Sequence, residues 1–417
     1  MNLLIKSATI VDPKSDFHNK TEDILIEKGN IVKIANSIKN TINYRELTLE
    51  NLHVSQGWFD SSVSFGEPGY EERETINNGL NTAAKSGFTA VVLNANSLPV
   101  IDSNSDINYV LSKAQNHAVT LKPLGALTKS SKGEELAEMF DMKSVGAIAF
   151  SDYQKPLANA NLMKIALQYA SSFNGLVYAF PQDNSIARNG VMHEEVASTT
   201  LGLKGIPALA EELQVARDLF LLEYTGGKLH IPTISTAKSV ALIREAKAKK
   251  LDITCSITVH NLILKDESLH TFDTNFKVIP PLRTQTDIDA LIEGLNDGTI
   301  DMVTSDHNPI DIEHKKVEFD FAAYGTIGLE SAFGALLNTF TLKKTIDYLT
   351  RGKARYGLDS TSISIGNKVD LTLFNPKESY IFSKSHIMSK SKNAIFEGSK
   401  MKGTVYGIIA NKKIVLN

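Results

Sequence analysis

The sequence lacks several features that define common protein classes. Cys255 is the one cysteine among 417 residues, so a disulfide within the chain is excluded and a reducing compartment, the cytoplasm, is expected. No apolar run reaches the ~20 residues that a membrane-spanning helix requires. The formal net charge of −3 does not indicate the concentrated basic surface that nucleic-acid binding uses. We therefore expect neither a membrane nor a nucleic acid as a partner.

Metal-binding and nucleophile motifs are also missing. The chain contains no His-x-His, no His-Glu-x-x-His and no Cys-x-x-Cys. A zinc site needs three or four nitrogen, sulfur or oxygen ligands within reach, and this sequence offers few candidates. His230 and His260 stand alone near the ends of apolar segments, where a hydrogen-bonded core histidine is the commoner situation. Neither Ser62 nor Ser64 lies in a Gly-x-Ser-x-Gly motif.

The sequence does contain two β-rich ends that flank a long α/β region. In the first end, residues 23–27 and 31–34 flank a Gly-Asn turn and predict a hairpin. In the long region, β-prone runs alternate with helical stretches, a pattern typical of parallel strands covered by helices. About eight such units are present, which is the number in a (β/α)8 barrel.

We therefore predict an α/β fold in two parts. A TIM barrel spans residues 55–362, and a small β-sandwich is built from both termini, residues 1–54 and 363–417. After the opening strand, the predicted barrel strands are 88–93, 147–150, 176–179, 228–234, 251–257 and 300–304. The predicted helices are 77–86, 159–172, 207–224, 238–250 and 286–295.

Function in such a barrel is located at the carboxyl ends of the strands. Asp306 directly follows a predicted strand, where a general base or a metal ligand would face the barrel mouth. The alternative role is a turn or N-cap aspartate before Pro309. Asp152 follows another strand. It would either bind a metal or cap the segment that follows it. In the stretch 94–97, an asparagine amide would bind a carboxylate or cap a turn.

Several stretches together carry a family resemblance. In chain order they are EPGYEERETINNGLNTAAKSGFTAVV, NSLPVIDS, GLKGIPALAEELQVARDLFL, HIPTIST, ITVHNLIL, VIPPLRTQTDIDALIEGLNDGTIDMVTSDHNP and GTIGLESAFGALL. These stretches resemble dihydroorotases, of the class often encoded beside aspartate transcarbamoylase. The ends ILIEKGNIVKI and GNKVDLTLFNP resemble the β-sandwich of the amidohydrolase superfamily. The resemblance implies a barrel of the metal-dependent hydrolase type. It also implies the reversible cyclisation of carbamoyl aspartate to dihydroorotate, usually with zinc.

The departures from the family pattern are concentrated at the metal. The resemblance places four metal-binding histidines of the family at Ser62, Ser64, Phe180 and Thr233. Hydroxyl groups are poor neutral ligands and phenylalanine is none, so we expect no metal, no cofactor and no catalytic residue. Asp152 and Asp306 are retained, and Asp306 is interpreted as vestigial.

Positions that contact the substrate in the family are changed as well. The resemblance places the arginine that grips the substrate carboxylate at Gly66, an asparagine at Ile279 and a last histidine at Ile310. Losing the arginine removes a bidentate carboxylate clamp. Asn96 and His260 remain as candidates for substrate contact.

Our leading hypothesis is a catalytically inactive homologue, a pseudoenzyme, in pyrimidine biosynthesis. It would act as a scaffold or regulatory partner of aspartate transcarbamoylase, and we expect a homodimer. The alternative is an active dihydroorotase or other cyclic amidohydrolase with an atypical site, in which Asp306, Asp152 and His260 carry the work and zinc is bound. A third hypothesis is a sensor that binds a pyrimidine-pathway metabolite in the emptied pocket.

Overall fold

A computed structural model describes residues 1–358 and 361–417. Asp359 and Ser360, which fall inside the predicted barrel range, lie outside the described residues. The strands are β1 (Asn2–Ile10), β2 (Thr21–Glu27), β3 (Asn30–Ala35), β4 (Arg45–Leu47), β5 (His53–Gln56), β6 (Trp58–Val63), β7 (Phe88–Leu93), β8 (Thr120–Gly125), β9 (Ala149–Phe150), β10 (Val177–Tyr178), β11 (Met192–His193), β12 (Gly205–Ile206), β13 (Leu229–Ile231), β14 (Ile253–Thr258), β15 (Met302–Thr304), β16 (Leu371–Ile381), β17 (Lys400–Ala410) and β18 (Lys413–Leu416). The α-helices are α1 (Ile76–Lys85), α2 (Asn104–Lys113), α3 (Met139–Ser144), α4 (Ala160–Ser171), α5 (Asn184–Ala187), α6 (Val196–Leu201), α7 (Ala208–Thr225), α8 (Ala237–Ala248), α9 (Gln285–Asp297), α10 (Ile312–Lys315), α11 (Leu329–Thr339) and α12 (Leu342–Thr350).

Eight parallel strands form the barrel. They pair in the order β6–β7–β8–β9–β10–β13–β14–β15. A parallel bridge between Val63, the last residue of β6, and His307, shortly after β15, joins the two ends of this series. The carboxyl ends of all eight strands therefore meet at one mouth, where barrel enzymes place their functional groups.

The two chain ends form one mixed sheet of eight strands. Its order is β18–β17–β16–β5–β1–β2–β3, and β4 pairs with β1. The predicted hairpin is confirmed as β2 and β3. Apolar residues from both ends of the chain, including Leu3, Ile24, Val54 and Leu373, share one buried cluster. The barrel and the terminal β region confirm the predicted fold class, and the residue boundaries between the two parts stay predictions.

The strand β8 is missed by the sequence pattern. Residues 120–125 read TLKPLG, and the lysine and proline interrupt the apolar run that marks a buried strand. Other elements of this region were not predicted either: the helices α2, α3, α5, α6, α10, α11 and α12 and the short strands β11 and β12. The predicted strands and helices are confirmed with shifts at their ends, such as α7 at Ala208–Thr225 instead of 207–224.

The longest helix, α7, shows how the sequence marks the two ends of a helix. Pro207 stands at its N-cap position, where the missing N–H costs no helical hydrogen bond. Gly226 ends the helix in the left-handed conformation with φ 68°, which favours glycine. Neither α7 nor any other helix in the described part of the chain is long and apolar enough to cross a membrane.

Candidate functional site

A small cavity lies at the barrel mouth. The residues that line it follow or end six different strands: Ser62, Asn94, Ser151, Tyr153, Gln154, Tyr178, Phe180, Pro232, Thr233 and Asp306. The volume open to the centre of a water molecule is about 10 Å3. A cavity of that size has room for roughly one water molecule. The predicted positions Ser62, Phe180, Thr233 and Asp306 are thus brought together, around very little space.

Asp306 is the acidic side chain of this cavity. Its carboxylate accepts hydrogen bonds from the Ser62 hydroxyl at 2.7 Å, the Tyr153 hydroxyl at 3.3 Å and the Gln154 amide at 3.5 Å. Burial raises the pKa of Asp306 to about 7, and the nearby charge of Asp60 adds to the rise. The prediction that Asp306 faces the mouth is therefore confirmed.

Asp60 lies directly behind Asp306 and ties two strands together. Its carboxylate accepts from the Thr304 hydroxyl, from the Ser305 backbone N–H at 2.8 Å and from the Ser62 backbone N–H at 3.0 Å. Burial raises the pKa of Asp60 as well. The contacts join the end of β6 to the end of β15, so Asp60 fixes the backbone from which Ser62 and Asp306 extend.

The asparagine at the mouth is Asn94. Its side-chain amide donates to the Ser62 hydroxyl at 3.1 Å and to the Ser64 hydroxyl at 3.2 Å. Asn96, the residue predicted to contact substrate, is not among the residues that line the cavity. Of the two asparagines that follow β7, Asn94 therefore lines the cavity and orients the two serines.

Phe180 supplies an apolar wall. Its side chain belongs to a buried cluster with Ala187, Ile206, Ala210 and Ile279. Thr233 lies beside it with a backbone φ of 50° and donates its N–H to the Ser256 hydroxyl at 3.1 Å. One wall of the mouth is thus closed by carbon atoms at a position where the family resemblance implies a ligand.

Asp152 lies outside the cavity and anchors a loop. Its carboxylate accepts from the backbone N–H of Leu127 at 2.9 Å and of Thr128 at 3.0 Å, and from the Thr128 hydroxyl at 2.5 Å. Burial raises the pKa of Asp152, although these hydrogen bonds oppose the rise. These contacts hold the loop that follows β8, a role that is neither of the two predicted ones.

The two strand histidines are buried and uncharged. His230 has both ring nitrogens within hydrogen-bonding distance of hydroxyls, Thr254 at 3.0 Å and Ser256 at 3.3 Å, which confirms the satisfied core histidine. Burial lowers the pKa of His260 to about 3, and its Nε2 has no partner among the described residues. Neither histidine lines the cavity, so the predicted substrate contact of His260 stays a prediction.

These donors do not fit a zinc ion. Among residues 1–358 and 361–417, no three His, Cys, Asp or Glu side chains lie close enough together to hold a metal. Asp306 is the one such side chain that lines the mouth cavity. Ser62 and Tyr153 both donate to its Oδ1, and the Gln154 amide lies 3.5 Å from its Oδ2. A catalytic zinc site usually has three protein ligands and an open position. The mouth supplies one carboxylate and several neutral hydroxyls.

Near the N-termini of α7 and α9, Arg283 and Glu211 form a buried ion pair. The Arg283 guanidinium lies 3.6 Å from the Glu211 carboxylate, and both side chains are almost fully buried. Arg283 also donates to the Ser235 hydroxyl at 3.0 Å, and its Nη1 lies 2.8 Å from Nδ1 of His193. Burial and the arginine lower the pKa of His193 to about 4, so this nitrogen is an acceptor. These contacts connect α7 to the loops before α8 and α9.

Three residues that line the mouth were not predicted as members of the site, Gln154, Tyr178 and Pro232, and neither was Asp60 behind them. The signal for Asp60 was available, because a carboxylate inside the fully buried strand WFDSSV requires several hydrogen-bond donors around it. Gln154 reaches the mouth because its backbone adopts φ 55°, which the sequence pattern does not indicate. Tyr178 ends β10, a strand that was predicted.

The fold of this chain resembles the folds of solved hydantoinases and of a dihydropyrimidinase. The L-hydantoinase of Arthrobacter aurescens superposes with a TM-score of 0.85 at 18% identity over 100% of this chain and 96% of that chain. The dihydropyrimidinase of Brevibacillus agri gives 0.80 at 20% identity, over 100% and 95%. At these identities the likeness establishes the fold alone.

The particular family follows from closer relatives. Residues 53–239 match the family model described as dihydro-orotase-like. The dihydroorotase of Pelotomaculum thermopropionicum is 41% identical over 100% of this chain and 99% of its own length, and that of Thermoanaerobacter sp. is 41% identical over 97% and 95%. The chain belongs to the dihydroorotase family.

Replacing Asp306 with asparagine is expected to change how stability depends on pH. The folded-state pKa of about 7 lies above the ordinary value of an aspartate, so the stability that Asp306 contributes is complete in acid and is lost as the pH rises through about 7. We expect Asp306→Asn to gain roughly 3 kcal/mol relative to the wild type between pH 5 and pH 8. Denaturant unfolding of both proteins at the two pH values measures this gain. A difference that stays constant with pH would contradict the raised pKa.

Proposed function

We propose that this chain is a dihydroorotase-family protein of pyrimidine biosynthesis whose barrel mouth does not carry out metal-dependent ring closure. The observation that carries the proposal is the engagement of Asp306 by the hydroxyls of Ser62 and Tyr153. About 10 Å3 is left beside them, whereas small-molecule sites usually occupy roughly 300–1,000 Å3. The carboxylate is held by neutral donors in a space too small for a ring.

The role we propose for it is that of a scaffold or regulatory partner of aspartate transcarbamoylase. Its support is that the fold is kept over the whole chain while the mouth is altered. The Glu211–Arg283 ion pair is buried, as expected of a pair that the fold requires. Sedimentation of a mixture of the two proteins tests the role: a joint complex is expected, and separate boundaries at micromolar concentration would contradict it.

The second candidate is an active dihydroorotase or another cyclic amidohydrolase, and the comparisons favour it over the inactive role. The relatives that match along nearly their whole length bear the name dihydroorotase. One feature of the site also supports it, because a pKa of about 7 suits Asp306 for general-base catalysis near neutral pH. A substrate ring would then require Tyr153 and Gln154 to move away from the mouth.

A steady-state assay separates the two candidates. Hydrolysis of dihydroorotate and cyclisation of carbamoyl aspartate are followed with zinc added, beside the Thermoanaerobacter relative as the control. We expect no turnover above the uncatalysed rate, and the same background for Asp306→Asn. A turnover number in the ordinary range of about 1–10³ s⁻¹ that Asp306→Asn abolishes would establish the active enzyme instead.

A further inference from the structure

A second and much larger cavity, which we call the rim cavity, opens on the same side of the barrel as the mouth. The volume open to the centre of a water molecule is about 900 Å3. Small-molecule sites usually occupy roughly 300–1,000 Å3. Its walls come from segments that follow β6, β14 and β15 and from the loop between β16 and β17: Glu72, residues 274–275, residues 310–316, Lys384, residues 390–393 and Glu397.

The lining of the rim cavity carries an excess of positive charge. Five lysines line it: Lys315, Lys316, Lys384, Lys390 and Lys392. None of the five forms an ion pair with a carboxylate of the described residues. Of the four acidic residues in the lining, Asp311 pairs with Arg73 at 3.0 Å, and Glu72 lies 3.8 Å from the same guanidinium. Only Glu313 and Glu397 are left to oppose the lysines.

Lys315 is the buried member of this set, since it is 4% exposed. Its ammonium donates to the backbone carbonyls of Thr274 at 2.9 Å and Lys277 at 3.3 Å, and both acceptors are neutral. Burial, together with the nearby charge of Lys277, lowers the pKa of Lys315 to about 7, although Asp273 opposes the change. A buried charge without a counter-ion destabilises the folded state. An anion in the rim cavity would supply that counter-ion.

A second buried lysine, Lys277, adds to the charge behind this wall. It is 2% exposed and donates to the backbone carbonyls of Phe319 at 2.7 Å and Asp320 at 2.9 Å. Its ammonium also lies 4.9 Å from the centre of the Tyr324 ring. Like Lys315, it has no ion pair with a carboxylate of the described residues. Two buried ammonium groups side by side give this wall a positive potential.

The walls of the rim cavity are held in place by polar contacts. The Thr274 hydroxyl donates to the Lys315 carbonyl at 2.6 Å. The buried side chain of Asn393 accepts from the Ile310 backbone N–H at 3.1 Å and donates to the Asn308 carbonyl at 3.0 Å. The cavity is therefore formed before a ligand enters, which reduces the entropic cost of binding.

We propose that the rim cavity binds a small organic phosphate, with Lys315 and the exposed lysines around it contacting the phosphate groups. Lysine binds phosphate as a point charge, whereas bidentate recognition of a carboxylate uses arginine, and no arginine lines this cavity. Ile310 and Ile312 offer apolar contact for the organic part of the ligand. The rim cavity shares no lining residue with the mouth cavity, so the inference goes beyond the function proposed for the mouth.

Isothermal titration calorimetry with inorganic pyrophosphate near neutral pH tests the site. The wild type is expected to bind one pyrophosphate per chain with a Kd below about 1 mM. Malonate, a dicarboxylate, should bind roughly tenfold more weakly. The absence of pyrophosphate binding, or an equal affinity for malonate, would overturn the proposal.

Charge reversal of two exposed lysines tests the location. The ammonium groups of Lys316 and Lys384 make no hydrogen bond within the described part of the chain, so Lys316→Glu/Lys384→Glu should fold normally. Its affinity for pyrophosphate should fall by at least about tenfold. The matched control is Lys343→Glu/Lys344→Glu, which makes the same change of charge on exposed lysines of α12, outside the rim cavity. An equal loss of affinity in both double variants, or a loss in neither, would contradict a site in the rim cavity.

Lys315→Met tests the buried lysine. It removes the ammonium group without changing the exposed lysines, and we expect pyrophosphate affinity to fall by at least about tenfold. Denaturant unfolding of the variant shows whether the fold is retained. A folded Lys315→Met protein that binds pyrophosphate as tightly as the wild type would overturn the contact proposed for Lys315.

Discussion

Replacing Arg283 with methionine is expected to destabilise the protein by roughly 3–5 kcal/mol. The change leaves the buried Glu211 carboxylate without its cation. A buried charge that has lost its partner is no longer compensated, which destabilises the folded state. The Ser235 hydroxyl and the Ile206 carbonyl also lose their contacts with the guanidinium. The midpoint and slope of denaturant unfolding at pH 7 give the change in free energy.

Two controls identify the cause of that loss. The double variant Arg283→Met/Glu211→Gln removes both charges, and the glutamine amide oxygen can still accept from the backbone N–H groups of Ser235 and Thr236, so it should recover a large part of the stability. Arg244→Met breaks the exposed Arg244–Asp297 pair and should cost less than about 1 kcal/mol. A double variant no more stable than Arg283→Met alone would contradict the role assigned to the ion pair.

The second large effect is expected when histidines are placed at the two serine positions. Ser62→His/Ser64→His should be destabilised, because both serines are buried and the cavity beside Ser62 has room for only one water. Overpacking costs about 1–3 kcal/mol per site. The variant should neither bind zinc tightly nor turn over dihydroorotate. Phe180 still closes one wall, and Thr233 still offers only a hydroxyl.

The matched control is Ser62→Ala/Ser64→Ala, which removes the same hydroxyls without adding volume. It should lose about 1 kcal/mol for each hydrogen bond to Asp306 and Asn94. Unfolding curves and zinc titration of both double variants provide the comparison. Stoichiometric zinc or measurable turnover in the histidine variant would show that the two serines alone account for the lack of zinc binding and activity.

The fold was predictable because its signals are local. A hairpin and a barrel of alternating strands and helices are specified by residues close in sequence, such as the Gly-Asn turn between β2 and β3. The strand β8 was not predictable in this way. Lys122 and Pro123 interrupt its apolar pattern, and its place between β7 and β9 depends on long-range pairing.

The site was predictable only in part. That Asp306 faces the mouth follows from its position after a strand, but its hydrogen bonds to Ser62 and Tyr153 join residues far apart in the chain. The backbone has a positive φ at Asp306, Gln154 and Thr233, and this conformation orients their side chains. None of these residues is a glycine, so the sequence does not indicate the positive φ. The role of the buried Asp152 likewise depended on contacts with Leu127 and Thr128, which are distant from it in the chain.

Zinc content per chain tests the central claim most directly. The purified protein is exposed to excess zinc, passed through a desalting column and analysed by mass spectrometry for metal, and the same sample is assayed with dihydroorotate. The account predicts far less than one zinc per chain and no turnover, because one carboxylate and neutral hydroxyls do not retain the ion. One tightly held zinc per chain together with turnover would contradict it.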